Sequence, residues 1–291
     1  MSIPQDTALH SPTPTWRPER PMQVVLGRVD APAALAAVPS TWIDWAKALA
    51  SQLIIWHHLA LYGPMCDVAR ELALALLDSL AEHARLVVQV FLVTGGFLAA
   101  HTLWPAPGAG RAPAWKDVPA WWWRRYVRLV KPYGVAMLAV VVAAWLARGL
   151  IDHPTIPAAP EPAQLLAHLL LLHDVFGVES LSAGFWYVAI DFQLYGLLVL
   201  LAAAWRSLPG DEAYRTGAAV AIVLAMVLSS LLVWNRLSEG DPFATYFFGA
   251  YGLGVLARWV RGLRVGRSQA AMGVALVVGL ALIVEWRSRI A

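Results

Sequence analysis

The chain has 291 residues, 59% of them hydrophobic and only 14% charged, with a net charge of +3 and a mean hydropathy of +0.58. Soluble domains carry about 25% Asp, Glu, Lys and Arg, so this composition excludes a water-soluble enzyme, a disordered tail protein and a disulfide-stapled secreted module. It points to an all-α integral membrane protein, a polytopic helix bundle whose apolar residues face lipid as well as one another.

In chain order, residues 1–40 are Pro-rich and polar with no early apolar run. They predict a mobile cytoplasmic tail without a signal peptide, ahead of a transmembrane domain over 41–291. Seven apolar runs follow, at 42–63, 86–104, 133–151, 184–204, 217–234, 244–260 and 270–286. Each is long enough, or nearly so, to cross a bilayer, which takes about 20 residues. Between the first two, 67–85 places Leu72, Leu76, Leu77 and Leu80 at helical spacing, predicting a helix that lies over the bundle or leads into the second span. An eighth run, 165–178, is short and holds His168, His173 and Asp174, which predicts an interfacial or re-entrant helix. Trp42, Trp104, Trp145, Trp205, Trp234, Trp259 and Trp286 stand near span ends, as an aromatic belt requires. The single cysteine, Cys66, excludes an intramolecular disulfide and a cysteine-rich metal site.

Charge placement orients the chain. Arg111, Lys116, Arg124, Arg125, Arg128 and Lys131 separate spans two and three, with Asp117 the one acid there. Arg258, Arg261, Arg264 and Arg267 separate spans six and seven, whereas 152–183 contains no Lys or Arg. The positive-inside rule therefore puts the N-terminus in the cytoplasm. The basic clusters all sit beside spans, so they indicate membrane topology and not a nucleic-acid surface.

Ionisable groups inside a bilayer are costly and need a reason. Within the interiors of the spans they reduce to Lys47, His57, His58 and Asp191. Lys47 and His58 are eleven residues apart, three helical turns plus about 20°, so both lie on one face roughly 16 Å apart. His57 points about 100° away. Asp191 and His58 fall at similar depth from the outer side, where a carboxylate could hold an imidazole as a general base. Each has a plain structural alternative: hydrogen bonding within a helix pair for His58 and Asp191, snorkelling for Lys47, and lipid headgroup binding for the Arg cluster. Gly95-Gly96 suits close helix packing, and Trp121 to Trp123 suit an interfacial anchor.

Four stretches, in order, resemble the membrane-bound acyltransferase-3 family. Lys47-x10-His58 in DWAKALASQLIIWHH is similar to its basic-x10-His pattern, and VFLVTGGFLAA at 90–100 to its second-span phrase. RRYVRLVKPY at 124–133 resembles its Arg-rich cytoplasmic motif, and FWYVAIDFQLY at 185–195 its Trp-Ser-Leu-Ser-Val-Glu-x-Gln-Phe-Tyr signature. TYFFGAYGLGVLA at 245–257 is a more generic likeness. Lys47 stands where Arg is commoner, Asp191 where Glu is, Tyr187 and Ala189 where two serines are, and Gly95 where Ser is. The family's closing Ser-Tyr…Tyr-Leu-x-His stretch has no counterpart.

What the resemblance implies is transfer of an acyl group, acetyl first among candidates, from acyl-coenzyme A to a hydroxyl of a cell-surface or exported carbohydrate at the inner membrane. It implies His58 as the catalytic base, Asp191 and Lys47 beside it, Arg124, Arg125 and Arg128 on the coenzyme A phosphates, and Trp186 and Tyr195 on the substrate. It implies no tightly bound cofactor and no metal. A proton-coupled transporter and a C-terminally short, non-catalytic family member are the competing readings.

Overall fold

The structure, a computed structural model, describes residues 41–62, 64–105 and 111–260, all helix, turn or irregular connection with no strand among them. The expected tail over 1–40, the seventh span over 270–286 and the basic residues Arg261, Arg264 and Arg267 lie outside the described residues. Among the described residues there are eight α-helices: α1 Thr41–Leu61, α2 Pro64–His83, α3 Val88–Leu103, α4 Val118–Arg148, α5 Pro162–Leu169, α6 Phe185–Ser207, α7 Glu212–Leu232 and α8 Ala244–Val260. Among the described residues four segments are long and apolar enough to cross a membrane: Met65–Leu103, Trp115–Arg148, Phe185–Ser207 and Glu212–Arg236. The expected first and sixth spans form α1 and α8 without meeting that criterion. Asp44, Lys47, Gln52, His57 and His58 interrupt the apolar character of α1, and α8 is described over 17 residues, up to the last described residue.

The centre is α6. Ile190, Leu194, Leu198, Val199, Ala202 and Ala203 are fully buried in the main core, joined there by residues of α3, α7 and α8. Helices buried all round need apolar residues all round, and FWYVAIDFQLYGLLVLLAAAW supplies them with Asp191 as its one acid. Gln193 clamps α6 to α8: its amide nitrogen donates to the Pro242 carbonyl (3.0 Å) and its oxygen accepts from the Ala244 N–H (3.0 Å), capping the start of α8.

The closest packing in the bundle is between α3 and α8, which run parallel. Gly96 lies at Tyr251, Gly254 at Val93 and Phe97, Arg258 Nε at His101 Nδ1 (3.1 Å) and Trp259 against Trp104 (ring centroids 5.0 Å). A Cβ on Gly96 would overlap the Tyr251 carbonyl, and one on Gly254 the Val93 carbonyl. These two glycines let the backbones touch, the means by which helices in lipid gain dispersion energy. Gly95-Gly96 thus serves close packing, as its composition suggests.

The amphipathic segment forms α2, broken at Ala73 (φ −143°, ψ 44°). Arg70 and Asp78 pair across the break at 3.3 Å, and the second half returns to α1, where His57 Nδ1–H donates to the Leu80 carbonyl at 3.0 Å. Cys66 Sγ–H donates to the Ala60 carbonyl at 2.7 Å. His57 is therefore a structural staple between α1 and α2.

The expected short helix over 165–178 is displaced towards the N-terminus and ends by Leu169. Leu171 adopts φ +57°, with Leu171 N–H bonded to the His168 carbonyl and Leu172 N–H to the Ala167 carbonyl. That is a Schellman terminus with leucine where glycine is usual. Left-handed backbone costs a leucine about 1–2 kcal/mol, offset here by full burial of the side chain in a second core with Tyr133, Met137, Leu181 and Phe185.

Two bundle ends are distinguishable. His153 Nε2 meets Asp67 at 3.0 Å at one end, and Arg206 donates to the Ala112 carbonyl at 2.7 Å at the other. The basic stretch 111–117 therefore shares an end with the α6–α7 turn.

Gly96→Ala should destabilise the protein by about 1–3 kcal/mol through overpacking. Gly134→Ala, on α4 with nothing within 4 Å of the added carbon, should be neutral or stabilising by up to about 1 kcal/mol. Thermal unfolding in detergent of the two variants checks the contrast.

Candidate active site

Asp191 sits two turns into α6 with a side chain only 9% exposed, and Arg125 of α4 meets it with Nη2 2.5 Å from Oδ2. α4 and α6 run antiparallel here. Trp122 Nε1–H donates to the Gly196 carbonyl at 3.2 Å and Tyr133 packs on Phe185, which fixes the level at which Arg125 enters. Gly196 permits the approach, because a Cβ there would stand 3.3 Å from the Trp122 nitrogen. One of the three consecutive tryptophans is therefore a helix-to-helix strut and not merely an interfacial anchor.

The guanidinium is held on two sides. Asp191 binds its end, and the Tyr195 ring lies under it with 4.9 Å from the guanidinium carbon to the ring centroid. Tyr187, Tyr195 and Tyr251 all stand in the field of the Arg125–Asp191 pair. Gly95 of α3 adjoins both Tyr251 and Asp191: a Cβ there would be 3.3 Å from the Tyr251 ring and 3.9 Å from Asp191 Oδ1. Arg125 Nε and the Tyr251 hydroxyl are buried and have no hydrogen-bond partner among the described residues. The result is a polar centre of one ion pair and three phenols, enclosed by apolar helices.

The other expected site residues divide around this centre. Asp191 takes Arg125 as its partner and not His58, because α1 packs on α2, the turn 84–87 and α3, and α6 is reached through α3. His58 keeps ring contacts with His57 (5.3 Å) and Tyr62 (6.1 Å), and its Nδ1 is buried without a partner among the described residues. Lys47 is half-buried a few turns earlier on α1, its carbonyl accepting from Ser51 at 2.8 Å. Arg125 turns inward, so the phosphate fork expected of Arg125 with Arg128 is replaced by two outward guanidinium groups. Arg124 is exposed above Trp121, 4.8 Å from its ring centroid, and Arg128 is exposed nearby, both within the field of Tyr195.

Trp186 stacks on Phe247 (5.2 Å between centroids) and lines a cavity of about 420 Å³ with Asp174, Gly177, Val178, Asp241, Pro242, Tyr246 and Phe247. Burial and the neighbouring Asp241 push the Asp174 carboxyl up. Beneath it His173 is fully buried, stacked at 4.1 Å on His168, and burial with that second ring pushes it down to about 4. His168 itself is satisfied, with Nδ1–H donating to the Gln164 carbonyl (2.8 Å) and Nε2 accepting from Leu181 N–H (3.1 Å).

Sequence reasoning missed Tyr251 and Gln193. Both lie in stretches already noted for resemblance, but an apolar run gives no sign of which tyrosine turns inward. Gln193 is a neutral amide two residues beyond Asp191, and scarcity of charge does not single it out.

An all-helical bundle with four helical segments able to cross a membrane and a buried Arg–Asp pair between α4 and α6 has the architecture of a polytopic membrane protein. The family model described as "Acyltransferase domain" matches residues 40–286, and the chain belongs to the acyltransferase-3 family. It is accordingly a membrane acyltransferase in the general sense that this family defines. No curated protein and no solved structure matches the chain.

Arg125→Ala or Asp191→Asn alone should destabilise by about 3–5 kcal/mol, and the double replacement Arg125→Met with Asp191→Leu should recover most of that loss. A double-mutant cycle by thermal unfolding reads it; single losses that simply add would remove the pair from its central place.

At acid pH, His173 sets a second expectation. Its native pKa of about 4 lies below the ordinary 6.5, so the unfolded chain takes up the proton first and stability falls as pH drops from 6.5 to 4, by at most about 3 kcal/mol at 1.36 kcal/mol per unit. His168, also lowered, acts in the same direction, and the raised Asp174 offsets part of it. His173→Phe should therefore lose less stability than the wild type across that window in pH-dependent melting.

Proposed function

We propose that the chain is an O-acyltransferase of the cytoplasmic (inner) membrane, N-terminus in the cytoplasm, that moves an acyl group, acetyl in the first instance, from acyl-coenzyme A to a hydroxyl of a cell-surface or exported carbohydrate. The observation that carries this reading is the Arg125–Asp191 centre with its three phenols, buried in a bundle that belongs to an acyltransferase family.

His58 is the base. Among the histidines within the membrane helices it alone makes no hydrogen bond among the described residues: His57 is spent on Leu80 and His101 on Arg258. Such an imidazole is free to take the proton of the acceptor hydroxyl. The hydroxyl oxygen attacks the thioester carbonyl carbon, the carbon–sulfur bond breaks, and the coenzyme A thiolate leaves and recovers the proton from His58. Lys47, on the same face of α1, lends positive charge along the donor's path.

Arg124 and Arg128 are the exposed guanidinium groups suited to the coenzyme A phosphates, since their planar forks match phosphate oxygens. Arg125 serves from inside, next to Tyr195. The carbohydrate has its best-suited surface in the cavity lined by Trp186 and Phe247 with the Asp174 and Asp241 carboxylates, where ring faces and hydrogen-bond acceptors adjoin.

His58→Ala should lower acyl transfer by about 10²–10⁴-fold with normal expression and melting temperature. Transfer of radiolabelled acetyl from acetyl-coenzyme A to the cell-surface glycan, compared between wild type and variant, tests it. Equal labelling would remove His58 from the chemistry. Arg124→Ala with Arg128→Ala should weaken acetyl-coenzyme A binding by about tenfold or more without affecting stability.

A further inference from the structure

The cavity beside Trp186 carries more negative charge than the binding of a neutral sugar requires. Its volume is about 420 Å³, and of its eight lining residues three are aromatic, two are acidic and none is basic. The acids are Asp174, in the turns after α5, and Asp241, in the turn before α8. Either carboxylate alone would accept hydrogen bonds from a sugar. Two that face one space without a counter-charge repel each other, and burial together with the field of Asp241 pushes the Asp174 carboxyl up.

The surroundings do not supply that counter-charge. His173 faces Asp174, with Nε2 3.4 Å from Oδ2, but its ring is fully buried beside His168 and is neutral at pH 7, its pKa held down at about 4. Neither of its nitrogens has a hydrogen-bond partner among the described residues. Arg148 and Arg236 do not line the cavity, and Arg148 donates to the Pro157 carbonyl at 2.6 Å. The wider surface has the same sign: 152–183 carries Asp152, Glu161, Asp174 and Glu179 without a Lys or Arg. The backbone under both acids is anchored. The His173 and Asp174 carbonyls accept from the N–H groups of Val178 (2.8 Å) and Gly177 (3.1 Å), and Gln193 of α6 holds the Pro242 carbonyl next to Asp241. Carboxylates fixed in this way stay unneutralised until a cation enters, and the faces of the adjoining aromatic rings attract a cation as well. A calcium ion takes six to eight oxygen ligands, whereas no group of three or more His, Cys, Asp or Glu able to hold a metal occurs among the described residues. An ammonium group is the better match.

We infer that the acceptor is a carbohydrate bearing a protonated amine, and that Asp174 and Asp241 hold its ammonium group beside Trp186. This rests on the reading of the cavity as the carbohydrate site. Two carboxylates around an amine favour its charged form. The nitrogen lone pair is then bound to a proton, and the hydroxyl is left as the group that takes the acyl carbon. The same field disfavours an anionic sugar.

Binding of three sugars to the full chain in non-ionic detergent tests the inference. Glucosamine, N-acetylglucosamine and glucose carry an ammonium, an amide and a hydroxyl at the same carbon. Wild type should bind glucosamine about tenfold more tightly than either of the others, the worth of one charge-assisted hydrogen bond. In Asp241→Asn, at an exposed position, and in Asp174→Asn with Asp241→Asn, the ratio of glucosamine to glucose affinity should fall to within about twofold of unity. The ligand-free melting temperature of the double variant should hold or rise, because the repulsion between the two carboxylates has gone. A wild type with equal affinity for the three sugars overturns the inference and leaves the carbohydrate reading standing, as does a glucosamine preference that survives in the double variant. Calcium chloride that binds wild type and not the double variant, with glucosamine no tighter than glucose, makes the pair a metal site and likewise overturns it. A wild type that binds none of the sugars removes the carbohydrate reading of the cavity, and the inference falls with it.

Discussion

A carboxylate inside an apolar helix bundle must be neutralised, and most of this structure follows from how Asp191 is. Its position two turns into α6 puts it where water does not reach. Arg125 reaches it from α4, and that one ion pair sets how far α4 slides along α6. The slide brings Trp122 to the Gly196 carbonyl and Tyr133 to Phe185. It also draws Arg125 away from Arg124 and Arg128, dividing a run of basic residues into one buried guanidinium and two exposed ones. Such a pair adds little net stability over an apolar equivalent but forbids registers in which either charge is left alone.

Small residues complete what the charge begins. Without a hydrophobic drive between helices in lipid, close packing has to come from backbones that can touch, and Gly96 and Gly254 provide this between α3 and α8. The same contact carries Tyr251 into the polar centre. α1 stands apart from it. It bears His58 and Lys47, packs on α2 and α3, and leaves Trp42, Trp45, Leu49 and Trp56 exposed towards what would be lipid. The reactive histidine and the ion pair are thus borne by different helices that both pack on α3.

Much of the fold was legible in advance because a bilayer imposes simple rules. Apolar runs gave α3, α6, α7 and α8 to within about five residues, and leucine spacing gave α2, whereas α4 begins at Val118, fifteen residues ahead of the apolar run expected from 133, because the basic stretch 124–131 is helical too. The break at Ala73 was not legible, since no Gly or Pro marks it, and neither was the early end of α5, which depends on distant partners through burial of Leu171 among Tyr133 and Phe185. Of the site, scarcity of charge singled out His58 and Asp191 at once. Their expected pairing was a matter of equal depth, and depth says nothing about which helices are neighbours. Arg125 was read with the other arginines because one residue's difference in azimuth, about 100° on a helix, decides whether a guanidinium meets solvent or a carboxylate.

By itself, then, the sequence determined the class of environment, the helices and the short list of groups able to do chemistry, because hydropathy and charge are local properties that a membrane reads residue by residue. Family membership was likewise present in motif order. Only the tertiary structure decided which of those groups meet. Arg125 with Asp191, His57 with Leu80, and Tyr251 beside Gly95 are contacts between helices far apart in the chain. They are chosen by packing and by the penalty on lone buried charges, and no one-dimensional pattern encodes either.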